Sequence, residues 1–242
     1  MNIQKPAIFQ NDVLSVFTDA SITKNEDGKY TACAGMISFL GTQKISESYN
    51  ILIDSTNNEG EIYAIYMGLC SAFSAVSNTS LKHINIYSDS KISVFGIREW
   101  IYNWLNKVTP DGVMISSSGK PVANQEIFIL ALNVASNLIG PGYGVPVNFY
   151  HVYGHGQLNN FAFIKKYMEN LRKENDIYEK FTVTETDIHR MILANNEVDM
   201  ISRAYLVNTP PNITAIHAIP KGVPTPKCLN INNIRAYVKG GK

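Results

Sequence analysis

The apolar positions in the first quarter of the chain form three short runs with the composition of β-strands. Residues 13–18 (VLSVFT) are predicted as a buried strand, and residues 30–40 and 44–53 are rich in β-branched and aromatic side chains. The dipeptide Asp27-Gly28 between the first two runs is typical of a hairpin turn. Three consecutive strands with short connections predict an antiparallel meander.

The hydrophobic period then changes from two to about 3.6. Ile62, Ile65, Leu69 and Phe73 follow helical spacing after Asn58. The remaining predicted elements are strands at 83–87 and 147–153, helices at 92–105, 126–138 and 198–206, and a helix-prone segment at 161–193. This order predicts an α/β fold with a mixed five-stranded sheet, three antiparallel strands followed by two parallel ones, and helices on both faces.

Composition adds little about function except at the C-terminus. Apolar residues make up 45% of the 242 residues, which is ample for a core, and the net charge is only +1. Residues 209–242 hold five basic and no acidic residues and half of the ten prolines, which leaves a net charge of −4 for residues 1–208. We predict a basic, Pro-rich tail or strap at 209–242.

Nothing in the sequence predicts secretion or membrane insertion. Cys33, Cys70 and Cys228 lack a CxxC spacing, the N-terminus does not resemble a signal peptide, and no run of about 18 apolar residues occurs. We expect a soluble, cytoplasmic protein with no membrane partner and no obligate protein partner.

Two acidic residues occupy equivalent positions at the ends of apolar strands. Asp19 lies in FTDAS and Asp89 in IYSDS, and the hydroxyl residues Ser21 and Ser90 follow them. Either acid by itself is explained equally well as a helix cap or a turn residue. Two equivalent occurrences favour carboxylates presented together at strand ends.

Two further acids belong to predicted helices. Asn58 and Glu61 have the spacing of a capping box, and Asp199 near the start of a helix is favoured by the helix dipole, so each has a structural explanation. Four carboxylates from two strand ends and two helix starts are also the ligands that two hard divalent cations require. We therefore predict a site for two Mg²⁺ ions, with Mn²⁺ as an alternative.

Six segments of the chain resemble the successive signatures of cellular, type 1 ribonuclease H, in the chain order of that family. They are FTDAS (17–21), STNNEGEIYAIYMGL (55–69), IYSDSKISVFGIREWIYNW (86–104), GKPVANQEIF (119–128), HVYGHG (151–156) and NNEVDMISR (195–203). The resemblance implies a ribonuclease H-like fold and an endoribonuclease that hydrolyses the RNA strand of RNA–DNA hybrids by a two-metal-ion mechanism. The products would carry 5′-phosphate and 3′-hydroxyl ends.

The same resemblance assigns roles to individual residues. Asp19, Glu61, Asp89 and Asp199 match the four metal-binding carboxylates, and Glu61 is preferred to Glu59 because Asn57-Asn58 precede it at the family's spacing. His155 matches the histidine that assists proton transfer or product release, although a lone histidine is more often a surface residue. All five are predicted catalytic residues.

The predicted substrate-binding residues surround these acids. Thr56, Asn57 and Asn58 would lie beside the hybrid, where amide side chains reach the minor groove and the 2′-hydroxyls. Trp100 corresponds to an aromatic near the DNA strand, whereas Trp104 is assigned to the core. Ser21 and Ser90 complete the set.

The chain departs from the family pattern in two places. Residues 105–118 hold one Lys and one Asp where the family commonly has a basic protrusion, and 158–193 is predicted as a helical insertion in a catalytic domain spanning 1–208. We hypothesise that the insertion or the 209–242 tail supplies the missing substrate contacts. A solvated helical flap is the alternative for the insertion, which could also fold over the catalytic face.

Two rival functions share much of this evidence. One is a catalytically altered ribonuclease H-like module that binds nucleic acid, and the other is a superfamily nuclease that acts on DNA. The presence of all four acids and His155 argues against the first. The Thr56–Asn58 segment and the Trp100 helix favour the hybrid over the second.

Overall fold

Strands of both orientations build the sheet at the centre of the fold. The computed structural model describes residues 5–208, so the predicted tail lies outside the described residues. Within that range the strands are β1 (Val13–Lys24), β2 (Tyr30–Leu40), β3 (Gln43–Ile53), β4 (His83–Ser88) and β5 (Val147–His151). They lie in the order β3-β2-β1-β4-β5, with β1–β2 and β2–β3 antiparallel and β1–β4 and β4–β5 parallel. The predicted mixed five-stranded α/β fold is confirmed.

Helices cover the two faces of this sheet. They are α1 (Asn57–Val76), α2 (Lys91–Phe95), α3 (Ile101–Leu105), α4 (Gln125–Ile139), α5 (Phe161–Glu174), α6 (Ile177–Lys180) and α7 (Glu185–Asn208). A π-helical turn at Gly96–Trp100 joins α2 to α3, so the predicted helix at 92–105 is one interrupted helical segment. No helix within residues 5–208 combines the length and apolarity needed to cross a bilayer.

Two hydrophobic cores lie on opposite faces of the sheet, because successive side chains of a strand point to opposite sides. Val16 of β1 belongs to the core formed with α1 and α4. Its neighbour Phe17 belongs to the core formed with α5 and α7, where it stacks on Tyr87 at a ring-centroid distance of 4.5 Å. Each face of the sheet therefore needs helical cover.

The segment predicted as an insertion supplies much of the cover on the second face. Ile164, Tyr167 and Leu171 of α5 are buried in the core that contains Tyr87 and Tyr150. The apolar side of α5 packs against the sheet, so the alternative of a solvated flap is wrong. Its charged side, with Lys165, Lys166, Arg172 and Lys173, is exposed.

The helix predicted at 198–206 starts much earlier than its apolar spacing indicated. α7 runs without interruption from Glu185 to Asn208 and buries Ile188, Met191 and Val198. Asp199 consequently lies in the interior of the helix. Its explanation as an N-terminal acid favoured by the helix dipole is therefore wrong.

Candidate active site

Asp19 and Asp89 are brought together by the parallel pairing of β1 with β4. The pairing ends at Thr18 and Ser88, so the two acids follow at the same level of the sheet. Asp19 does not end its strand as predicted, because β1 continues to Lys24 in pairing with β2. The sheet opens beside Asp19 because β4 stops at Ser88.

Glu61 reaches these two acids from the beginning of α1. Carboxylate oxygens of Asp19, Glu61 and Asp89 all lie within 4.8 Å of one another. Asp19 is only 4% exposed and Glu61 only 5%. Three carboxylates are thus crowded into a largely desolvated space.

Burial and mutual repulsion disfavour the ionised forms of these acids. Burial and the charges of Asp89 and Asp199 raise the pKa of Asp19 from 3.8 to about 8. Burial and the charge of Asp19 raise the pKa of Glu61 well above its usual value, and burial also raises the pKa of Asp89. A bound cation would reverse this penalty by stabilising the ionised forms.

The chemistry of the donor set fits a hard divalent cation. All of the converging ligand atoms are carboxylate oxygens, which Mg²⁺, Ca²⁺ and Mn²⁺ prefer to nitrogen or sulfur donors. Buried Oε2 of Glu61 has no hydrogen-bond partner among the described residues, although buried polar atoms are normally paired. An oxygen in that condition is available as a metal ligand.

Asp199 faces the same cleft but stands apart from the cluster of three. It lines a cavity of about 590 Å³ together with Asp19, Glu61, Asp89 and His155. Its Oδ1 accepts a hydrogen bond of 2.7 Å from Nε of Arg203, one turn further along α7. The structure therefore places all five predicted catalytic residues on one cleft, with Asp199 at its more accessible side.

The loop that carries His155 is shaped by the residues on both sides of it. His155 is exposed and has a left-handed backbone with φ of 54°, and its Nδ1 lies 3.8 Å from Oδ2 of Asp199. A Cβ atom at Gly154 would overlap the Asp89 carboxylate, and one at Gly156 would overlap Ile192 of α7. The two glycines let the loop pass closely between the acids and α7.

The two glutamates near the start of α1, Glu59 and Glu61, make different contacts. Thr56 is the N-cap residue, and its Oγ1 accepts a hydrogen bond of 3.2 Å from the backbone N–H of Glu59. The Glu59 carboxylate accepts a 3.0 Å hydrogen bond from the Ser55 hydroxyl. Because these residues serve the helix end, the capping-box explanation of Glu61 with Asn58 is wrong.

The predicted substrate-binding residues fall into two groups. Ser21 and Asn57 line the cleft, and the Ser21 hydroxyl lies 2.7 Å from that of Ser202. The others do not line the cleft: Thr56 and Ser90 are N-cap residues of α1 and α2, Asn58 is exposed in the first turn of α1, and Trp100 lies on the π-helical turn.

Trp100 and Trp104 differ in their surroundings. Trp100 is 39% exposed, and its ring centroid lies 6.2 Å from that of Trp104. Trp104 packs edge-on against Phe128 of α4, with the ring centroids 5.2 Å apart. Trp104 therefore belongs to the core side of this segment, and Trp100 to its surface.

Sequence reasoning missed three polar residues around the acids. Asn195 and Arg203 lie four residues before and after Asp199, which places them on the same side of α7. Asn195 is buried beside Asp89, and its side-chain amide lowers the pKa of Asp89 against the larger effect of burial. The third is His151, hidden in the apolar run of β5. Helical spacing could have indicated the first two.

Comparison of the sequence with known proteins finds a matching family model and several relatives. The ribonuclease H family model matches residues 11–162. Human ribonuclease H1 is 24% identical over 148 residues, which cover 61% of this chain and 46% of the human protein. Ribonuclease HI of Haemophilus influenzae is 30% identical over 117 residues, which cover 48% of this chain and 66% of that protein. The chain thus spans between about half and two thirds of these curated relatives.

Among solved structures, the crystal structure of LC9-RNase H1, a type 1 RNase H with the type 2 active-site motif, is similar to this chain. The two are 18% identical, and the alignment covers 72% of this chain and 76% of that chain with a TM-score of 0.42.

Proposed function

This chain belongs to the ribonuclease H family, and we propose that it is an endonuclease that hydrolyses the RNA strand of RNA–DNA hybrids. The observation that carries the proposal is the convergence of Asp19, Glu61 and Asp89 in an open cleft, with a buried Glu61 oxygen that has no partner among the described residues. Two cleft residues, Asp199 and His155, stand beside the cluster.

We assign two divalent cations, Mg²⁺ with Mn²⁺ as an alternative, to Asp19, Glu61, Asp89 and Asp199. Held by these carboxylates, the cations would provide Lewis-acid chemistry, lowering the pKa of a water molecule and stabilising negative charge on the phosphate. Asp19 and Glu61 are buried and held by the sheet and α1, so they define the floor of the site. Asp199 is steadied by Arg203.

The reaction exchanges one bond to phosphorus for another. The oxygen of water bonds to phosphorus and gives up one proton, the bond from phosphorus to the 3′-oxygen breaks, and that 3′-oxygen takes up a proton in return. His155 is exposed at the mouth of the cleft beside Asp199, where it can carry this proton. The products are a 5′-phosphate and a 3′-hydroxyl.

Discrimination between RNA and DNA is assigned to the start of α1. Asn57 lines the cleft, and its neighbours Thr56 and Asn58 are exposed. Amide and hydroxyl groups at this place can hydrogen-bond the 2′-hydroxyls of an RNA strand. Trp100, exposed on the π-helical turn, is assigned to the DNA strand.

Phosphate contacts outside the cleft are assigned to basic residues that the family pattern does not contain. α5 exposes Lys165, Lys166, Arg172 and Lys173, and the 209–242 tail adds five basic residues. Binding that depends on these charges weakens with salt in proportion to the phosphates contacted. Deletion of 209–242 tests the tail, because an unchanged salt slope of hybrid binding removes it from the interface.

The deciding experiment presents three labelled substrates, an RNA–DNA hybrid, double-stranded RNA and double-stranded DNA, with Mg²⁺, with Mn²⁺ or with EDTA. We expect metal-dependent internal cleavage of the RNA strand of the hybrid, reduced at least about 100-fold in Asp89→Asn. Absence of that cleavage, or equal cleavage by the variant, contradicts the proposal. Cleavage of double-stranded DNA instead favours the DNA nuclease, and binding without cleavage favours the catalytically altered module.

A further inference from the structure

The C-terminal end of α5 meets the acid cluster at His151, the last residue of β5. His151 is buried and lies beside Ser88 in the parallel pairing of β5 with β4. Its Nε2 is 3.2 Å from the main-chain oxygen of Asp89, and its Nδ1 is 2.6 Å from Oε2 of Glu174. Both partners are oxygen atoms that accept hydrogen bonds. The imidazole thus links α5 to the peptide group of Asp89.

Glu174 is held in place on its other side. Its Oε1 accepts a hydrogen bond of 2.7 Å from Nζ of Lys91, two residues after Asp89. Burial raises the pKa of Glu174, but hydrogen bonds from Lys91 and His151 outweigh it and hold the pKa below its usual range. Glu174 is therefore an ionised carboxylate that bridges the beginning of α2 and the end of β5.

Asn175, the next residue, fastens the main chain of the same strand end. Its Nδ2 donates to the oxygen of His151 at 2.9 Å, and its Oδ1 accepts from the backbone N–H of His151 at 3.0 Å. The guanidinium of Arg98 donates to Oδ1 of Asn175 and to the main-chain oxygen of Glu174, each at 3.0 Å. The end of α5 is consequently a fixed support for the His151 ring.

The Asp89 peptide group needs such a support because it lies between two regular elements. β4 ends at Ser88, and Ser90 is the N-cap of α2, so Asp89 belongs to neither element. A hydrogen bond to its carbonyl fixes the peptide plane that follows its Cα atom. That plane contains the Asp89 Cα atom, from which the carboxylate side chain projects.

We propose that Glu174 and His151 are positioning residues that orient Asp89 for metal binding, so that α5 contributes to the metal site without touching the metal. The inference rests on the metal site assigned under the proposed function. Groups that hydrogen-bond the ligands of a metal site typically change metal affinity or activity by about 10- to 100-fold when they are removed. In this way α5, which lies in the segment predicted as an insertion, helps to orient a metal ligand.

The test compares Glu174→Ala and Glu174→Gln with Glu169→Ala, which removes an exposed acid from the same helix. Mn²⁺ binding to the full-length protein without substrate is measured by calorimetry, together with kcat and KM for the hybrid and the thermal midpoint. We expect Glu174→Ala to raise the Kd for Mn²⁺ about tenfold and to lower kcat at limiting metal, with KM for the hybrid unchanged. Glu174→Gln should lie between Glu174→Ala and the wild type, and Glu169→Ala should match the wild type.

His151→Gln completes a double-mutant cycle. If Glu174 acts through the ring, adding Glu174→Ala to His151→Gln should weaken Mn²⁺ binding little further. A lower thermal midpoint with unchanged Mn²⁺ affinity overturns the inference in favour of a purely structural role, as does an effect of Glu174→Ala that is fully additive. If Glu174→Ala fails to fold, Glu174→Gln, which keeps the shape of the side chain, decides the same question.

The outcomes also separate this inference from the proposed function. Loss of Mn²⁺ affinity in Glu174→Ala together with an inert wild-type protein would support the positioning role and contradict hybrid cleavage. Cleavage by the wild type with unaltered Mn²⁺ affinity in the variants would do the reverse. A wild-type protein that binds no Mn²⁺ overturns both.

Discussion

Gly154 lies against the carboxylate of Asp89, so that a Cβ atom at position 154 would overlap Oδ2 of the aspartate. The atom that would have to move is a predicted metal ligand. A substitution of Gly154 is therefore expected to disturb the predicted metal site rather than the hydrophobic core.

Gly154→Ala should therefore displace Asp89 and reduce metal-dependent hydrolysis of the hybrid by about 10- to 100-fold, the range typical of disturbed ligand orientation. Its thermal midpoint should change little, since the overlap involves the end of a side chain. The matched control is Gly142→Ala, because a Cβ atom there meets nothing within 4 Å. Equal activity of the two variants would show that Asp89 tolerates the shift.

Removal of the charge should affect different properties at the two glutamates near the start of α1, namely metal affinity at Glu61 and stability at Glu59. Glu61→Gln should abolish detectable Mn²⁺ binding or weaken it at least about 10-fold, because Glu61 belongs to the acid cluster. Glu59→Gln should keep wild-type metal affinity and lose about 0.5 kcal/mol of stability, because Glu59 serves the helix end. Calorimetric Mn²⁺ titration and urea unfolding of both variants distinguish these effects.

The stability of the metal-free protein should fall as pH rises towards 8. The pKa of Asp19 is raised from 3.8 to about 8 by burial and by neighbouring acids. A group with a raised pKa binds its proton more tightly when folded, so its contribution to stability is complete below about pH 4 and is lost as pH rises through about 8. The pKa of Glu61, which burial and the charge of Asp19 raise above its usual value, acts in the same direction.

The measurement is the thermal midpoint in EDTA between pH 5 and pH 8.5. Asp19→Asn should be more stable than the wild type by about 5 °C at the upper end and should flatten the dependence on pH. Mg²⁺ should restore the wild-type midpoint at high pH but not raise that of the variant. If the thermal midpoints of the wild type and of Asp19→Asn depend on pH in the same way, the prediction that crowding of these acids raises the pKa of Asp19 is wrong.

The contribution of α5 to the core can be measured directly. Leu171 is 0% exposed whereas Phe161 on the same helix is 76% exposed. Leu171→Ala should lower the free energy of unfolding by about 3 kcal/mol because it leaves a cavity between α5 and the sheet. Phe161→Ala should change it by less than about 0.5 kcal/mol. Similar, small values for both would mean that α5 is not packed as described.

Substitution of the two tryptophans should separate binding from stability. Trp104→Ala should cost about 3 kcal/mol of stability because its ring packs on Phe128. Trp100→Ala should leave stability nearly unchanged and raise the Kd for the hybrid at least about fivefold, since stacking contributes about 1–3 kcal/mol per base. Urea unfolding and fluorescence anisotropy with a labelled hybrid in Ca²⁺ provide the two readouts.

Local patterns along the chain were sufficient for the strands, for most helices and for the sheet. The alternation in residues 30–40 and the helical spacing from Ile62 to Phe73 are properties of neighbouring residues, so they could be recognised without the fold. The pairing of β1 with β4 was not predicted, but the equivalent positions of Asp19 and Asp89 after apolar runs were recognised. Those equivalent positions favoured a shared site for the two acids.

Other features depended on contacts between distant segments. The early start of α7 was hidden because residues 185–197 pack partly against β1 and α5, and their apolar spacing has no clear beginning in the sequence. The choice between Glu61 and Glu59 rested on a motif until the cap geometry of Thr56 showed which glutamate serves the helix end.

Residue type and short-range periodicity were enough to predict the order of the elements, because both can be recognised along the chain. The four carboxylates were selected by their shared placement and by the resemblance of the surrounding motifs to the family. The packing of the folded chain was needed to show that Gly154 touches Asp89 and that Glu174 reaches Asp89 through His151. These contacts join residues far apart in sequence, and their geometry depends on how α5 and the strands pack.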